Sequence, residues 1–307
     1  MDKHSHTHSH SHTHHEPPRS LNFAFAAAIL LNLSYCLGEA VYALIAGSTS
    51  LLADAAHNFG DVLGLVLAWM ANWLLSFPAR KRYSYGFKRT TIIAALGNAC
   101  ILAGTSAIII YEAIYKLHHL TLVNETLVII VGMIGIIVNG GSSLLFMKSA
   151  EHDLNIKGAF LHLLADALIL AGVVVAAIII QLTGWIWIDP ITALLIVALI
   201  LWGTWGLLRD SLSLILDAIP RYIDHIGVQT YLAQLPGVQS IHDLHIWGLS
   251  TKEVALTAHL IMPNAALTDA EYKEINKILH EKFHIDHATL QVESGSTENP
   301  CLRAETC

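Results

Sequence analysis

Six long apolar stretches occupy the first two thirds of the chain. Each approaches or reaches the roughly 20 residues that a helix needs to cross a bilayer, and the connections between them are short. This pattern predicts a polytopic α-helical membrane protein with six transmembrane helices. The predicted spans are Leu21–Ala46, Leu51–Leu75, Thr90–Ile114, Thr126–Met147, Gly158–Leu182 and Pro190–Leu208.

From Arg209 onward the long apolar runs stop and the density of charged residues rises. Alternating and amphipathic segments then follow in the order αββαβ, which is typical of a ferredoxin-like domain that lacks one strand. Thr268 and Glu271 match a capping box at the start of the second helix. We therefore predict a C-terminal ferredoxin-like α/β cytoplasmic domain. Its predicted elements are Tyr222–Leu235, Val238–Trp247, Val254–Met262, a helix from Thr268 to Phe283, and Ala288–Glu293.

The composition supports a membrane protein and excludes several other classes. Apolar residues make up 54% of the 307 residues and charged residues only 13%, whereas a soluble domain usually has about 25% charged residues. The mean hydropathy is +0.54. Lys and Arg number 17 against 24 Asp and Glu, so no basic excess is present to bind nucleic acid.

The distribution of Lys and Arg predicts the orientation. These residues cluster in the loops after the second, fourth and sixth stretches, and the alternate loops have almost none. The clustered loops are therefore expected to be cytoplasmic, with both termini on the same side, and the short loops favour a bacterial inner membrane. We divide the chain into a tail of residues 1–20, a transmembrane domain of 21–208, a cytoplasmic domain of 209–295 and a second tail of 296–307.

Ionisable residues inside the apolar stretches mark a candidate ion site. His57 and Asp61 lie four residues apart in the second stretch, and His162 and Asp166 repeat this spacing in the fifth. Each pair shares one helix face, and two such faces would supply two imidazoles and two carboxylates, a tetrahedral ligand set for Zn²⁺ or a similar ion. Polar ties between helices are the alternative, although an Asp in hydrocarbon costs roughly 2.5–3.5 kcal/mol. Asp54 could orient His57, sit at the outer mouth of the site, or bind metal directly.

Three segments resemble the zinc-transporting branch of the cation diffusion facilitator family. The run from Ser50 to Asp61 is similar to the signature of that family's second helix, and Asn155–His162 with Asp166 is similar to that of its fifth. Ile241–Trp247 resembles the first strand of its cytoplasmic domain. The resemblance covers about residues 20 to 295.

This resemblance implies a homodimeric zinc exporter, not an enzyme, that exchanges metal for protons. It implies a transport site made by His57, Asp61, His162 and Asp166, and histidine at position 57 fits the zinc-preferring branch. Independently, metal ligands must be deprotonated, so metal binding releases protons. The alternatives are a metal sensor or structural dimer without flux, and a membrane zinc enzyme, whose helical HExxH motif is absent.

The resemblance also implies a cytoplasmic metal cluster at His242, His259 and Glu293, with Asp286 or His287 completing the set. Successive side chains of a strand point to opposite faces, so His245, three residues after His242, is expected on the face opposite His242. We therefore expect His242 to bind metal and His245 to take part in packing or in the dimer surface. In the C-terminal tail, Cys301 and Cys307 are a weak match to a cysteine-bearing tail of some relatives, and the alternative is a pair of free thiols.

Seven of the 19 histidines lie between His4 and His15. This tract alternates with Ser and Thr, and we expect it to be disordered and to bind metal weakly, with an affinity tag as the alternative. The loop Arg80–Lys88 has no His, Cys, Asp or Glu. We predict no metal site in that loop, and its basic residues are expected to contact anionic lipid or to set the topology.

Overall fold

The computed structural model describes residues 19–80, 82–147, 154–263 and 266–295, and for residues 19–32, 145–146 and 154–159 it describes the backbone alone. Predictions for the N-terminal histidine tract and for Cys301 and Cys307 lie outside the described residues.

Six long helices match the six predicted stretches in order. Within the described residues, the last five of these helices each contain a segment long and apolar enough to cross a membrane, and the first contributes the apolar segment Leu33–Ala46. The helices are α1 (Arg19–Ala46), α2 (Thr49–Leu75), α3 (Thr90–His118), α4 (Glu125–Met147), α5 (Leu154–Thr183) and α6 (Ile188–Ile215).

The sixth helix is longer than its apolar stretch. It continues from the predicted end at Leu208 to Ile215, through Arg209 and Asp210. Neither Arg nor Asp interrupts the backbone hydrogen bonds of a helix, so the change in composition at Arg209 does not end it. Asp210 instead forms an ion pair with Arg221 beyond the helix, with Arg Nη1 3.5 Å from Asp Oδ1.

Helix packing leaves the outer surface of the bundle apolar. The most extensive contacts are those of α4 with α5, α3 with α6 and α2 with α3. Gly135 in α4 permits a close approach, because a Cβ atom there would lie 2.1 Å from the Tyr35 hydroxyl of α1. Large apolar side chains such as Leu44 and Trp202 remain 70% and 81% exposed, which suits a surface in contact with lipid.

A buried carboxylate joins the start of α2 to the start of α6. Asp189 accepts hydrogen bonds from the hydroxyls of Ser48 and Ser50, both over 2.6 Å, and from the backbone N–H of Thr49, also over 2.6 Å. Ser48 in turn caps α2 by accepting from the N–H of Leu51. These bonds fix the end of the helix that carries His57 and Asp61.

The cytoplasmic domain has the predicted αββαβ order. The sheet order is β1 (Ser240–Gly248), β2 (Val254–Ile261) and β3 (His287–Glu293), and β2 is antiparallel to β1 and parallel to β3. Leu256, Ala258 and Leu260 of β2 are buried in a core with Ile275 and Leu279 of the second helix. The helices of this domain are α7 (His225–Ala233) and α8 (Asp269–Phe283).

The predicted capping box opens α8. The carboxylate of Glu271 accepts hydrogen bonds from the N–H and the hydroxyl of Thr268, each over 2.7 Å. These bonds hold the pKa of Glu271 below its usual value. The stabilisation is therefore present at neutral pH and is lost as the pH falls through this lowered pKa.

The α2–α3 loop is held against the cytoplasmic part of the chain. Lys88 pairs with Glu253 in the β1–β2 turn, and Arg89 pairs with Asp217, which follows α6. Lys88 lies in the loop whose basic residues were expected to contact lipid or to set topology. The structure places its ammonium group, like the Arg89 guanidinium, on protein carboxylates.

Candidate metal centre

The side chains predicted to bind metal lie close together between α2 and α5. Within α2, His57 Nε2 is 3.5 Å from Asp61 Oδ2, and within α5, His162 Nε2 is 3.6 Å from Asp166 Oδ2. Both pairs follow the spacing of four residues that places side chains on one helix face.

The two helices bring these pairs together into a ring of four groups. Between the helices, His162 Nε2 lies 3.2 Å from Asp61 Oδ2, and His57 Nε2 lies 3.9 Å from Asp166 Oδ1. Each imidazole therefore has a carboxylate on either side. Ligand atoms at the corners of a tetrahedral zinc site are about 3.4 Å apart, given bond lengths near 2.1 Å. The observed spacing needs only small side-chain movements to hold such an ion.

The ring is partly open to its surroundings. The side chain of Asp166 is 5% exposed and that of His57 16%, whereas that of His162 is 48% exposed. Ions would therefore reach the ring more easily at its His162 edge than at Asp166. Withdrawal of Asp166 from water strengthens its attraction for a divalent cation.

Asp54 is placed behind this ring. It is fully buried, and its Oδ2 accepts a hydrogen bond of 3.1 Å from the Asn58 amide. The buried Nδ1 of His57 has no hydrogen-bond partner among the described atoms, so the structure does not show the orienting bond from Asp54 that the sequence left open. Asn58 also reaches Glu39 of α1, and this bridging role gave no signal in the sequence beyond its place after His57.

A second cluster lies on the cytoplasmic sheet. Glu293 Oε2 is 3.2 Å from His242 Nε2, and Glu293 Oε1 is 2.8 Å from His259 Nδ1. One ligand atom of each residue lies within 4.8 Å of the other two. Paired strands explain the geometry, because His242 is opposite His259 and the end of β3 adds Glu293 beside them. These residues could supply three ligands to one ion.

A β-bulge in β1 changes the predicted role of its second histidine. The register passes from His242 opposite His259 to His245 opposite Thr257, so β1 has one residue more than β2 over this span. Directly paired residues point to the same face, and Thr257 and His259 share a face of β2. His245 therefore emerges on the same face as His242, and the prediction of opposite faces is wrong.

The bulge also brings a carboxylate that the sequence did not single out. Asp243 has a φ of 51° within the bulge, a conformation that Asp adopts more readily than most residues. Its carboxylate lies 2.9 Å from His245 Nε2 and 3.5 Å from His259 Nε2. Asp243 thus neighbours the second cluster from within the strand.

Two predicted cytoplasmic ligands lie elsewhere. His287 is paired with Ala255 and Glu293 with Ile261, which separates His287 from the cluster by about 20 Å along β3. Its ring packs edge-on against Tyr85 of the α2–α3 loop. The neighbouring Asp286 accepts from the N–H of Val254. The expectation that Asp286 or His287 completes the cluster therefore does not hold in this structure.

Comparison with known proteins identifies the class of transporter. Residues 25–216 match the model of the cation efflux transmembrane domain, and residues 220–295 match that of the cation efflux protein cytoplasmic domain. The chain belongs to the cation efflux family. This confirms the predicted cation diffusion facilitator family, the six-span membrane domain and the ferredoxin-like cytoplasmic domain.

Several bacterial members of the cation efflux family are similar over most of their length. The chain is 36% identical over 292 residues to the cation efflux system protein CzcD of Alcaligenes sp. (strain CT14), covering 95% of this chain and 91% of that protein. It is 32% identical over 284 residues to the zinc transporter ZitB of Escherichia coli (strain K12), covering 92% and 89%. It is 31% identical over 271 residues to a cadmium, cobalt and zinc/H(+)-K(+) antiporter of Bacillus subtilis (strain 168), covering 87% of each.

Membership of the cation efflux family settles the general activity. The chain is a multi-pass membrane protein that moves metal cations out of the cytoplasm, and it is not an enzyme. The matched cytoplasmic domain is a dimerisation domain in this family, which supports the predicted homodimer. Handling of divalent metal also agrees with the cluster of His242, His259 and Glu293.

Proposed function

We propose that this cation efflux protein exports Zn²⁺ in exchange for protons by alternating access. The ring of His57, Asp61, His162 and Asp166 supports this proposal, because its two imidazoles and two carboxylates alternate at distances of 3.2 to 3.9 Å. Two nitrogen and two oxygen ligands suit Zn²⁺. The two negative charges also neutralise a divalent ion in surroundings of low dielectric constant.

Protons supply the driving force in this proposal. Zn²⁺ binds when one nitrogen of each imidazole is unprotonated and the carboxylates are ionised, so protons and metal compete for the same atoms. An imidazole nitrogen that has lost its proton can bind metal, and one that takes a proton back cannot, so the histidines can serve both loading and release. Exposure of the ring to one side of the membrane at a time then couples metal export to proton entry.

The range of metals is part of the same proposal. Relatives are named as transporters or antiporters of zinc, cadmium and cobalt. We propose Zn²⁺ as the main substrate and Cd²⁺ and other divalent cations as further substrates, since their ligand preferences overlap. We also propose a bacterial inner membrane, with both termini in the cytoplasm.

Flux measurements in proteoliposomes test the antiport. The purified chain is reconstituted, a pH gradient is imposed, and entry of Zn²⁺, Cd²⁺ and Mn²⁺ is followed with an internal metal indicator. We expect Zn²⁺ and Cd²⁺ flux to rise with the gradient and to exceed Mn²⁺ flux. Zinc movement that does not depend on the pH gradient would contradict proton exchange. Absence of flux would favour a sensor or structural dimer.

We further propose that the cytoplasmic domain binds Zn²⁺ as a regulatory ligand at His242, His259 and Glu293. Residues 209–295 would then form a metal-binding and dimerisation domain attached to the transport domain of 21–208. The tails 1–20 and 296–307 are proposed to act as accessory segments, with Cys301 and Cys307 as additional thiol ligands.

Substitution of His259 tests the cytoplasmic site. The variant His259→Ala is expected to bind about one zinc ion fewer per chain, because His259 holds one corner of the three-residue cluster, and to retain flux at saturating zinc. Equilibrium dialysis with elemental analysis measures the stoichiometry. His225→Ala, which removes an exposed histidine of the same domain, is the control. Equal zinc content in both variants would exclude His259 as a ligand.

A further inference from the structure

A pair of buried carboxyl groups lies behind the metal ring. Glu39 of α1 is 1% exposed and Asp54 of α2 is fully buried. The side-chain amide of Asn58 donates to Glu39 Oε2 over 3.4 Å and to Asp54 Oδ2 over 3.1 Å. The two carboxyl groups are therefore close enough to share one amide, and they come from two different helices.

Few hydrogen-bond donors reach this pair. The Tyr35 hydroxyl donates to Glu39 Oε1 over 2.8 Å, and Asn58 supplies the other bonds that the described residues provide. Asp54 Oδ1 is buried and receives no donor from any described residue. One of the four carboxylate oxygens is thus withdrawn from water without a partner.

The surrounding ionisable groups do not compensate two negative charges. Besides Tyr35, those among the described side chains are Cys36 of α1, Asp61 of α2 and Asp166 of α5, and none of these groups can be cationic. His57 is the nearest histidine along α2, and its Nε2 turns to Asp61 and Asp166 of the metal ring. Two adjacent carboxylates buried without a cation are strongly unfavourable, so this pair needs a bound positive charge.

We propose that Glu39 and Asp54 form the binding site for the counter-ion of metal export, a proton held by the carboxyl pair. The proposal rests on the antiport function above. The proton binds one carboxylate oxygen and leaves as H⁺, and no other bond changes. Asp54 Oδ1 has no donor among the described residues, so it can take up the proton while the hydrogen bonds from Tyr35 and Asn58 stay in place.

The position of the pair explains how the two ions are coupled. Asn58 contacts both carboxyl groups and directly follows the metal ligand His57 in α2. Zn²⁺ in the ring adds two positive charges close to the pair and so weakens its hold on the proton. By thermodynamic linkage, the bound proton weakens metal binding to the same extent. Metal loading then expels the proton, and proton return favours metal release.

Counting protons released during zinc binding tests this site. The full-length chain carrying His259→Ala, which silences the cytoplasmic cluster, is titrated with Zn²⁺ in weakly buffered detergent solution. Adding Glu39→Gln is expected to lower the release by about one proton per bound ion while zinc still binds. Glu125→Gln, at the start of α4, is the matched control and should release as many protons as the parent. Equal release from Glu39→Gln and parent overturns the proposal.

A second measurement does not depend on any variant folding. Infrared difference spectra of the unaltered protein, with and without Zn²⁺, should show the carbonyl band of a buried carboxylic acid that disappears when metal binds. The band should not respond to K⁺ at constant pH. Absence of the band overturns the proposal, and a band change driven by K⁺ would assign the pair to a metal cation instead. Failure of proton-driven flux in the unaltered protein would remove the antiport function itself, whichever way these spectra turn out.

Discussion

Exchange of Asp61 for asparagine is expected to reduce zinc transport by more than about 100-fold. Loss of a residue that only orients a metal ligand already lowers metal affinity about 10- to 100-fold, and Asp61 is a proposed ligand itself. Asp61 Oδ2 lies 3.5 Å from His57 Nε2 and 3.2 Å from His162 Nε2, so, like Asp166, it lies beside the histidines of both helices. Asparagine keeps the size of the side chain and loses its charge. The remaining Asp166 cannot neutralise a divalent ion alone.

Zinc entry into proteoliposomes measures this effect, and a matched variant separates it from a general loss of charge. Asp210→Asn makes the same change near the end of α6, where the carboxylate pairs with Arg221 outside the ring. We expect Asp210→Asn to transport at the rate of the unaltered protein. An Asp61→Asn variant that moves zinc within a few-fold of that rate would show that Asp61 is not a ligand.

The same variant should remain folded. Without metal, Asp61 and Asp166 are two carboxylates of the same cluster, and removal of one reduces the repulsion between them. Its melting temperature in detergent without zinc should therefore not fall. Added zinc should raise the melting temperature of the unaltered protein by more than that of Asp61→Asn, because a ligand stabilises only the state that binds it.

The close approach of His57, Asp61, His162 and Asp166 could be predicted from the sequence because the information for it is local. Spacing of four residues within each helix fixes the faces of His57 and Asp61 and of His162 and Asp166. The cost of ionisable groups in an apolar helix then requires the two faces to meet. The capping box of Thr268 is local in the same way, and the structure contains it.

Features that depend on contacts between distant segments could not be predicted in this way. The bulge at Asp243 reverses the expected face of His245, and period-two alternation contains no sign of an extra residue. The pairing of Lys88 with Glu253 joins segments 165 residues apart. The contact of Asn58 with Glu39 depends on how α1 packs against α2, which neither helix specifies alone.

Loss of the Asp189 carboxylate is expected to be among the most destabilising single changes outside the metal ring. Asp189 is 2% exposed and accepts from two hydroxyls and the Thr49 N–H, each over 2.6 Å. The N–H groups at the start of α2 also carry the positive end of the helix dipole, which favours a carboxylate there. Asp189→Leu has nearly the same size and leaves all three donors without an acceptor, so it should cost about 3 kcal/mol, as is typical when one partner of a buried charged network is removed.

Thermal unfolding in detergent measures this cost, and a fall of about 10 °C is expected for a bundle of this size. A double-mutant cycle with Ser50→Ala shows whether the loss comes from these bonds. Ser50→Ala should lower the melting temperature of the unaltered protein, because the Ser50 hydroxyl donates to Asp189 Oδ1. It should change the melting temperature little once Asp189→Leu has already removed that acceptor. Additive effects of the two changes would contradict the shared network. Coupled effects would mean that α2, and with it His57 and Asp61, is anchored to α6 through this one carboxylate.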